Sequence, residues 1–188
     1  MVDEADIFNY PEQTLDLRDA RLPSGLVLDV GGGGEGVIGL ILAGRAVSID
    51  LLRSELDEAH CDSSKMVMDA TRTAFRDGVF EGATFFFSLM FMPPQVQRAA
   101  LAEAQRVLKE GGDLLVWDMS FRTSDSPRPI FMVPLRVLLP GDRQVDTGYG
   151  CRRRDLDADA VRKMAEEAGL VLEESRSSGG TFFLRFRK

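Results

Sequence analysis

Histidine is almost missing from this 188-residue chain, with His60 the single copy, and cysteine occurs only at Cys61 and Cys151. Zinc sites draw on several such side chains at fixed spacing, so the scarcity argues against a metal centre. Two cysteines so far apart point to a reducing cytoplasm rather than a disulfide scaffold. No apolar run approaches the ~20 residues of a membrane span. The N-terminus, Met-Val-Asp-Glu-Ala-Asp, is acidic where a signal peptide is positive, so neither membrane nor export is expected. Basic charge is also in deficit: the net charge of −7 argues against a general grip on nucleic acid. The short basic runs at Arg152, Arg153 and Arg154 and at Arg185, Arg187 and Lys188 read as solvated surface.

What is present is the composition of one globular domain, 44% hydrophobic and 28% charged, spanning residues 1–188. Residues 12–21 have the pattern of a short amphipathic helix, which makes 1–25 a helical extension. Strands are expected at 26–30, 46–50, 65–69, 84–92 and 113–119, with helices at 37–42, 52–60 and 95–109 between them. A last helix covers 157–168, and strands at 170–175 and 181–187 follow. Such alternation implies an α/β fold, a doubly wound and mostly parallel seven-stranded sheet with helices on both faces. Only Ser177-Ser178-Gly179-Gly180 separates the final two strands, too little for a parallel crossover, so the last strand should run antiparallel.

Four consecutive glycines, Gly31 to Gly34, end the first strand of this sheet, and Gly36 follows. Glycine carries a high conformational cost, so this density points to a turn that brings backbone and free N–H groups against a ligand. Gly31, Gly33 and Gly36 also satisfy the G-x-G-x-x-G spacing of dinucleotide folds, a weak signal alone. Asp29, two residues before the first glycine, lies in an apolar strand and calls for a partner. The ammonium of a bound amino acid would serve, whereas a dinucleotide pyrophosphate would be repelled; capping of local N–H groups is the alternative. Asp50 ends the second strand 19 residues after Gly31, where a carboxylate can accept from both ribose hydroxyls or cap the next helix. Asp69 ends the third strand in the same way, near an adenine amino group or as a turn residue.

The segment Leu28-Asp29-Val30-Gly31-Gly32-Gly33-Gly34 resembles the first motif of the Rossmann-like, class I S-adenosylmethionine-dependent methyltransferases. Asp50, with Leu51 beside it, is similar to their ribose-binding acid, and Asp69 with Ala70 to their adenine-contacting pair. Residues 106–112, Arg-Val-Leu-Lys-Glu-Gly-Gly, resemble the turn before their fifth strand. The resemblance runs over residues 26–119 and implies S-adenosyl-L-methionine as cofactor, held by Asp29, Gly31, Gly32, Gly33, Asp50, Leu51, Asp69, Ala70 and Ser88. Two positions depart from the pattern: Glu35 stands for a glycine, and Glu110 for a proline.

Methyl transfer relies mainly on positioning and water exclusion, which fits a chain without a recognisable triad, and no catalytic residue is named. Ser88 and Met90, at the end of the fourth strand, fall where the cofactor edge or the core would take them. The Asn-Pro-Pro-aromatic tetrad of amino-group methyltransferases of nucleic acids and proteins is absent. Asp118, closing the fifth strand, suits a base, a substrate contact or a cap. Residues 120–155 read as a β-hairpin flap, with Pro134 keeping its first strand at an edge. The flap is either a substrate-selecting element, with Tyr149 as the contact, or the contact of a homodimer. The expected activity is methyl transfer to a small-molecule acceptor. A non-catalytic S-adenosylmethionine-binding domain and an NAD(P)-binding oxidoreductase are the alternatives.

Overall fold

A computed structural model describes residues 3–188. The chain opens with two short strands, β1 (Ile7–Asn9) and β2 (Gln13–Asp16), where a helix over 12–21 was expected. Next come β3 (Val27–Val30), the glycine turn, α1 (Val37–Leu42) and β4 (Ala46–Asp50). Helix α2 (Arg53–Glu58) leads to β5 (Ser64–Val67), and β6 (Phe80–Phe86) precedes α3 (Pro94–Val107). Strand β7 (Leu108–Met119) is followed by a hairpin of β8 (Ile130–Leu139) and β9 (Arg143–Arg152). Helix α4 (Ala158–Glu167) and strands β10 (Val171–Ser178) and β11 (Thr181–Arg187) complete the fold.

Seven strands form the main sheet in the order β10-β11-β7-β6-β3-β4-β5. Pairing from β5 across to β7 is parallel, and β11 runs antiparallel to both β7 and β10, as its short turn requires. Successive connections run outward from β3 on one side and from β6 on the other. Right-handed crossovers then put α1 and α2 on one face of the sheet and α3 on the opposite one. The strand order reverses between β3 and β6, the place where open α/β sheets bind ligands. Leu28, Ile49, Phe85 and Val116, from the four central strands, are among its fully buried side chains. Among the described residues no helix is long and apolar enough to cross a membrane.

Several boundaries differ from expectation, most clearly around the fourth and fifth strands of the sheet. The fourth strand stops at Phe86, and residues 89–91 form a 3-10 turn, because the Met90 N–H donates to Asp118 at 3.1 Å and buried Gln97 donates to the Leu89 and Met92 carbonyls. Pro94, lacking an N–H to lose, starts α3. Strand β7 begins at Leu108 and carries a bulge before Asp113, where Gly111 and Gly112 exchange backbone bonds with Lys188.

The hairpin expected within 120–155 is formed, but β8 is not an edge strand. On one side it pairs with β9; on the other, residues 130–132 take β1 and residues 135–138 take β2, both parallel. Pro134 falls in the gap between those two short strands, where no ladder donor is required. The free edge of β8 therefore draws residues 7–16 into strands against their local pattern. At the C-terminus, Arg185 and Arg187 pair with Asp113 at 3.4 and 3.1 Å, and Arg187 also pairs with Glu173, so this basic run is largely neutralised.

Candidate cofactor and acceptor site

The carboxyl ends of β3, β4, β5 and β6 open into one cleft of about 780 Å³. Its lining includes Asp29, Gly31, Gly32, Gly33, Asp50, Leu51, Asp69, Ala70 and Ser88, together with Glu35, Phe87, Phe91 and Tyr149. Parallel strands deliver the residues from Asp29 to Ser88 to the same side, and Tyr149 reaches the cleft from β9 of the hairpin.

The glycine turn is shaped by contact. A side chain on Gly31, whose φ is +73°, would meet the Ser88 Cβ at 2.5 Å, and one on Gly33 would meet the Glu55 Cβ at 2.5 Å. At Gly32 it would collide with the Asp29 carboxylate. Four of the turn's five glycine N–H groups are taken up within the protein. Gly31 and Gly32 donate to the Ile49 carbonyl at 2.8 and 3.2 Å, Gly34 to Glu55 and Gly36 to Gly33. What these glycines supply is close backbone approach.

Asp29 is buried, and its neighbours in register are Ser48 on β4 and Thr84 on β6. The Thr84 hydroxyl donates to its carboxylate at 2.7 Å, so the partners are hydroxyls rather than backbone N–H groups. Burial raises its pKa to about 7, and the hydroxyls offset only part of the desolvation.

Asp50 and Asp69 each commit one oxygen to local structure. Asp50 Oδ1 accepts from the Leu52 N–H at 2.9 Å, fixing the entry to α2. Asp69 Oδ1 accepts from the Thr71 N–H and hydroxyl, both at 2.8 Å, and these bonds lower its pKa. The capping alternatives therefore hold for one oxygen of each acid. Leu51 beside them is 65% exposed, an apolar flank on the cleft. Ser88 is only 5% exposed, and its Oγ has no hydrogen-bond partner among the described residues.

For Asp118 and Met90 the alternatives of cap and core hold. Asp118 is not brought to the cleft: fully buried, its carboxylate accepts from the Met90 and Met119 N–H groups, and burial raises its pKa to about 7. Met90 is likewise core. His60 is exposed, with its ring against the Glu58 carbonyl.

Glu35 and Tyr149, both singled out in the sequence, meet at the cleft, and Phe87, Phe91 and Glu55 enter unforeseen. Glu35 turns away from the glycine backbone toward the hairpin, accepting from the Thr147 hydroxyl and, at 3.2 Å, from the Tyr149 hydroxyl. Tyr149 stacks on Phe87 with centroids 5.4 Å apart and meets Phe91 edge-on at 6.4 Å. Within the run Phe85-Phe86-Phe87, Phe86 and Phe87 line the cleft and Phe85 does not, and the backbone turns to a φ of +50° at Phe87. No sequence pattern carries that information. Glu55 could have been found as the residue facing the turn one helical step after Asp50.

Residues 28–116 match the family model described as a methyltransferase domain. A demethylmenaquinone methyltransferase of Beutenbergia cavernae is 33% identical over 135 residues, covering 63% of this chain and 55% of that protein. The chain thus spans little more than half the length of this curated relative. Among solved structures, an S-adenosylmethionine-dependent methyltransferase from Methanosarcina mazei superposes with a TM-score of 0.66 at 14% identity, over 92% of this chain and 96% of the other. One from Clostridium acetobutylicum gives 0.62 at 12% identity, over 86% and 82%. At such identities the likeness is one of fold.

Proposed function

We propose that the chain, which matches a methyltransferase domain over residues 28–116, transfers a methyl group from S-adenosylmethionine to a small-molecule acceptor. One observation carries this reading: four strand ends place a side-chain-free glycine cradle, two half-committed carboxylates and the unpaired Ser88 hydroxyl around one cleft. A buried hydroxyl without a partner is costly, and a polar ligand group relieves the cost.

The residues fit the cofactor by their chemistry. The second oxygens of Asp50 and Asp69 suit ribose hydroxyls and an adenine amino group, with Leu51 and Ala70 as apolar flanks. Asp29, behind the turn, suits the ammonium of the amino-acid portion, directly or through water. When bound, S-adenosylmethionine supplies an electrophilic methyl on a sulfonium centre. The protein's part is to hold the acceptor in line and to exclude water, which the hairpin is placed to do.

A dinucleotide reading is disfavoured because Asp29, Glu35 and Glu55 line the cleft at the glycine turn, where carboxylates repel a pyrophosphate. A non-catalytic reading rests on Glu35 and on the missing acceptor tetrad, and it loses the first of these because the Glu35 side chain leaves the turn for the hairpin. The name of the Beutenbergia cavernae relative supports a small-molecule acceptor. The free thiols Cys61 and Cys151 support a reducing cytoplasm.

Isothermal titration of the full chain with S-adenosylhomocysteine and, separately, with NAD tests the proposal. Binding of the first and not the second is expected. Binding of NAD alone overturns it.

A further inference from the structure

The two halves of the cleft differ in chemistry. Toward β4 and β5 the lining is acidic, with Asp50, Glu55 and Asp69; toward the hairpin it is aromatic, with Phe87, Phe91 and Tyr149. Phe91 is 49% exposed, unusual for phenylalanine, yet it sits on a tightly held turn. Gln97 binds the carbonyls on either side, at Leu89 and Met92, while Asp118 holds the Met90 N–H. An apolar ring presented to a cleft from a rigid support is the form of a preorganised binding surface.

Tyr149 completes the corner by stacking on Phe87 and meeting Phe91 edge-on. Its hydroxyl has one proton, which it donates to Glu35. The remaining lone pairs can only accept, so the corner selects a partner that donates. Glu35 is itself steadied by the Thr147 hydroxyl, two residues along the same strand.

We propose that this aromatic corner is the acceptor subsite, that it takes a flat aromatic acceptor bearing a hydroxyl, and that Glu35 is the positioning residue that makes Tyr149 an acceptor of that hydroxyl's proton. The proposal rests on the other half of the cleft being the cofactor site. The glutamate in the glycine turn then has a purpose that a glycine cannot serve: it joins the turn to the hairpin and sets the polarity of Tyr149. Desolvation and the Glu35 charge both raise the Tyr149 pKa, which keeps its ring neutral against an apolar ligand.

The test uses the full chain saturated with S-adenosylhomocysteine and titrated with 2-naphthol, 2-methoxynaphthalene and decahydro-2-naphthol. Stacking and a single hydrogen bond each lead to an expected preference for 2-naphthol of about fivefold or more over either analogue. Phe91→Ala should weaken 2-naphthol about tenfold while changing S-adenosylhomocysteine affinity less than about threefold. Tyr149→Phe, which keeps the ring, should abolish the preference over 2-methoxynaphthalene and leave that analogue's own affinity unchanged. Glu35→Ala should do the same, and Glu35→Gln, which retains an acceptor oxygen, should restore the preference. Equal binding of the saturated analogue, or unchanged 2-naphthol binding in Phe91→Ala, overturns the subsite. Retention of the preference in both Tyr149→Phe and Glu35→Ala overturns the role of the pair. Failure of the wild type to bind S-adenosylhomocysteine overturns the cofactor reading and this proposal together; failure with 2-naphthol alone overturns only this one.

Discussion

The Oδ2 atom of Asp118 accepts a hydrogen bond from the backbone N–H of Met90 at 3.1 Å, tying the end of β7 to the turn that carries Phe91. Both residues are completely buried, so the acid acts inside the core rather than in the cleft.

Desolvation raises the folded-state pKa of Asp118 to about 7, above its value in the unfolded chain. The native state then holds a proton that the unfolded state has released, so this group's contribution is present at low pH. It is lost as pH rises from about 4 through 7. Asp118→Asn should flatten the decline of stability over that window by roughly 1 kcal/mol per pH unit, read from urea denaturation at several pH values. An unchanged slope would mean that the carboxyl ionises normally in its buried place.

Asp29 links pH to ligand binding. Its pKa of about 7 means that at pH 6 it is mostly protonated, and a bound ammonium must drive the proton off. S-adenosylhomocysteine affinity should therefore rise about tenfold between pH 6 and pH 8, with heats that depend on the buffer's ionisation enthalpy. Asp29→Asn should remove that dependence. A wild-type affinity flat across this range would separate Asp29 from the ammonium.

On the proposed ribose contact, Asp50→Ala removes the two charge-assisted bonds that its free oxygen would accept, together with the turn that its Oδ1 makes with Leu52. Binding of S-adenosylhomocysteine should weaken by roughly 30- to 800-fold, the equivalent of about 2–4 kcal/mol. Asp50→Asn keeps an acceptor for Leu52 and should lose less. Calorimetry on well-folded variants decides it, and equal binding by Asp50→Ala rejects the ribose assignment.

Gly31 and Gly44 form a contrasting pair. Alanine at Gly31 requires φ +73° and a Cβ 2.5 Å from that of Ser88, while alanine at Gly44 meets nothing within 4 Å. Gly31→Ala should destabilise by about 1–3 kcal/mol and depress cofactor binding, whereas Gly44→Ala should stabilise by about 0.4–1 kcal/mol through the unfolded chain. Thermal melts of the two variants should move in opposite directions.

Much of the cofactor half was legible because its signals are local. A strand ending in glycines, an acid at the end of each of the next two strands, and a short turn before β11 each depend on a few adjacent residues. The N-terminal strands were not legible. Residues 12–21 have a passable helical pattern, and only the unpaired edge of β8, more than a hundred residues away, makes strands the better solution. Asp118 stayed open between active-site acid and cap because its neighbours in sequence say nothing of the Met90 N–H that it serves.

The sequence by itself determined the α/β order, the antiparallel last strand and the glycine turn with Asp29, Asp50 and Asp69, since periodicity and backbone conformation are properties of short segments. Tertiary structure alone decided that Pro134 lies at a junction inside a sheet, that the Gly31 and Gly32 N–H groups are spent on the Ile49 carbonyl, and that Glu35 faces Tyr149. Those are pairings between distant segments. A hydrogen bond across 114 positions is chosen by which surfaces the fold brings within 3.2 Å, and no local pattern encodes that choice.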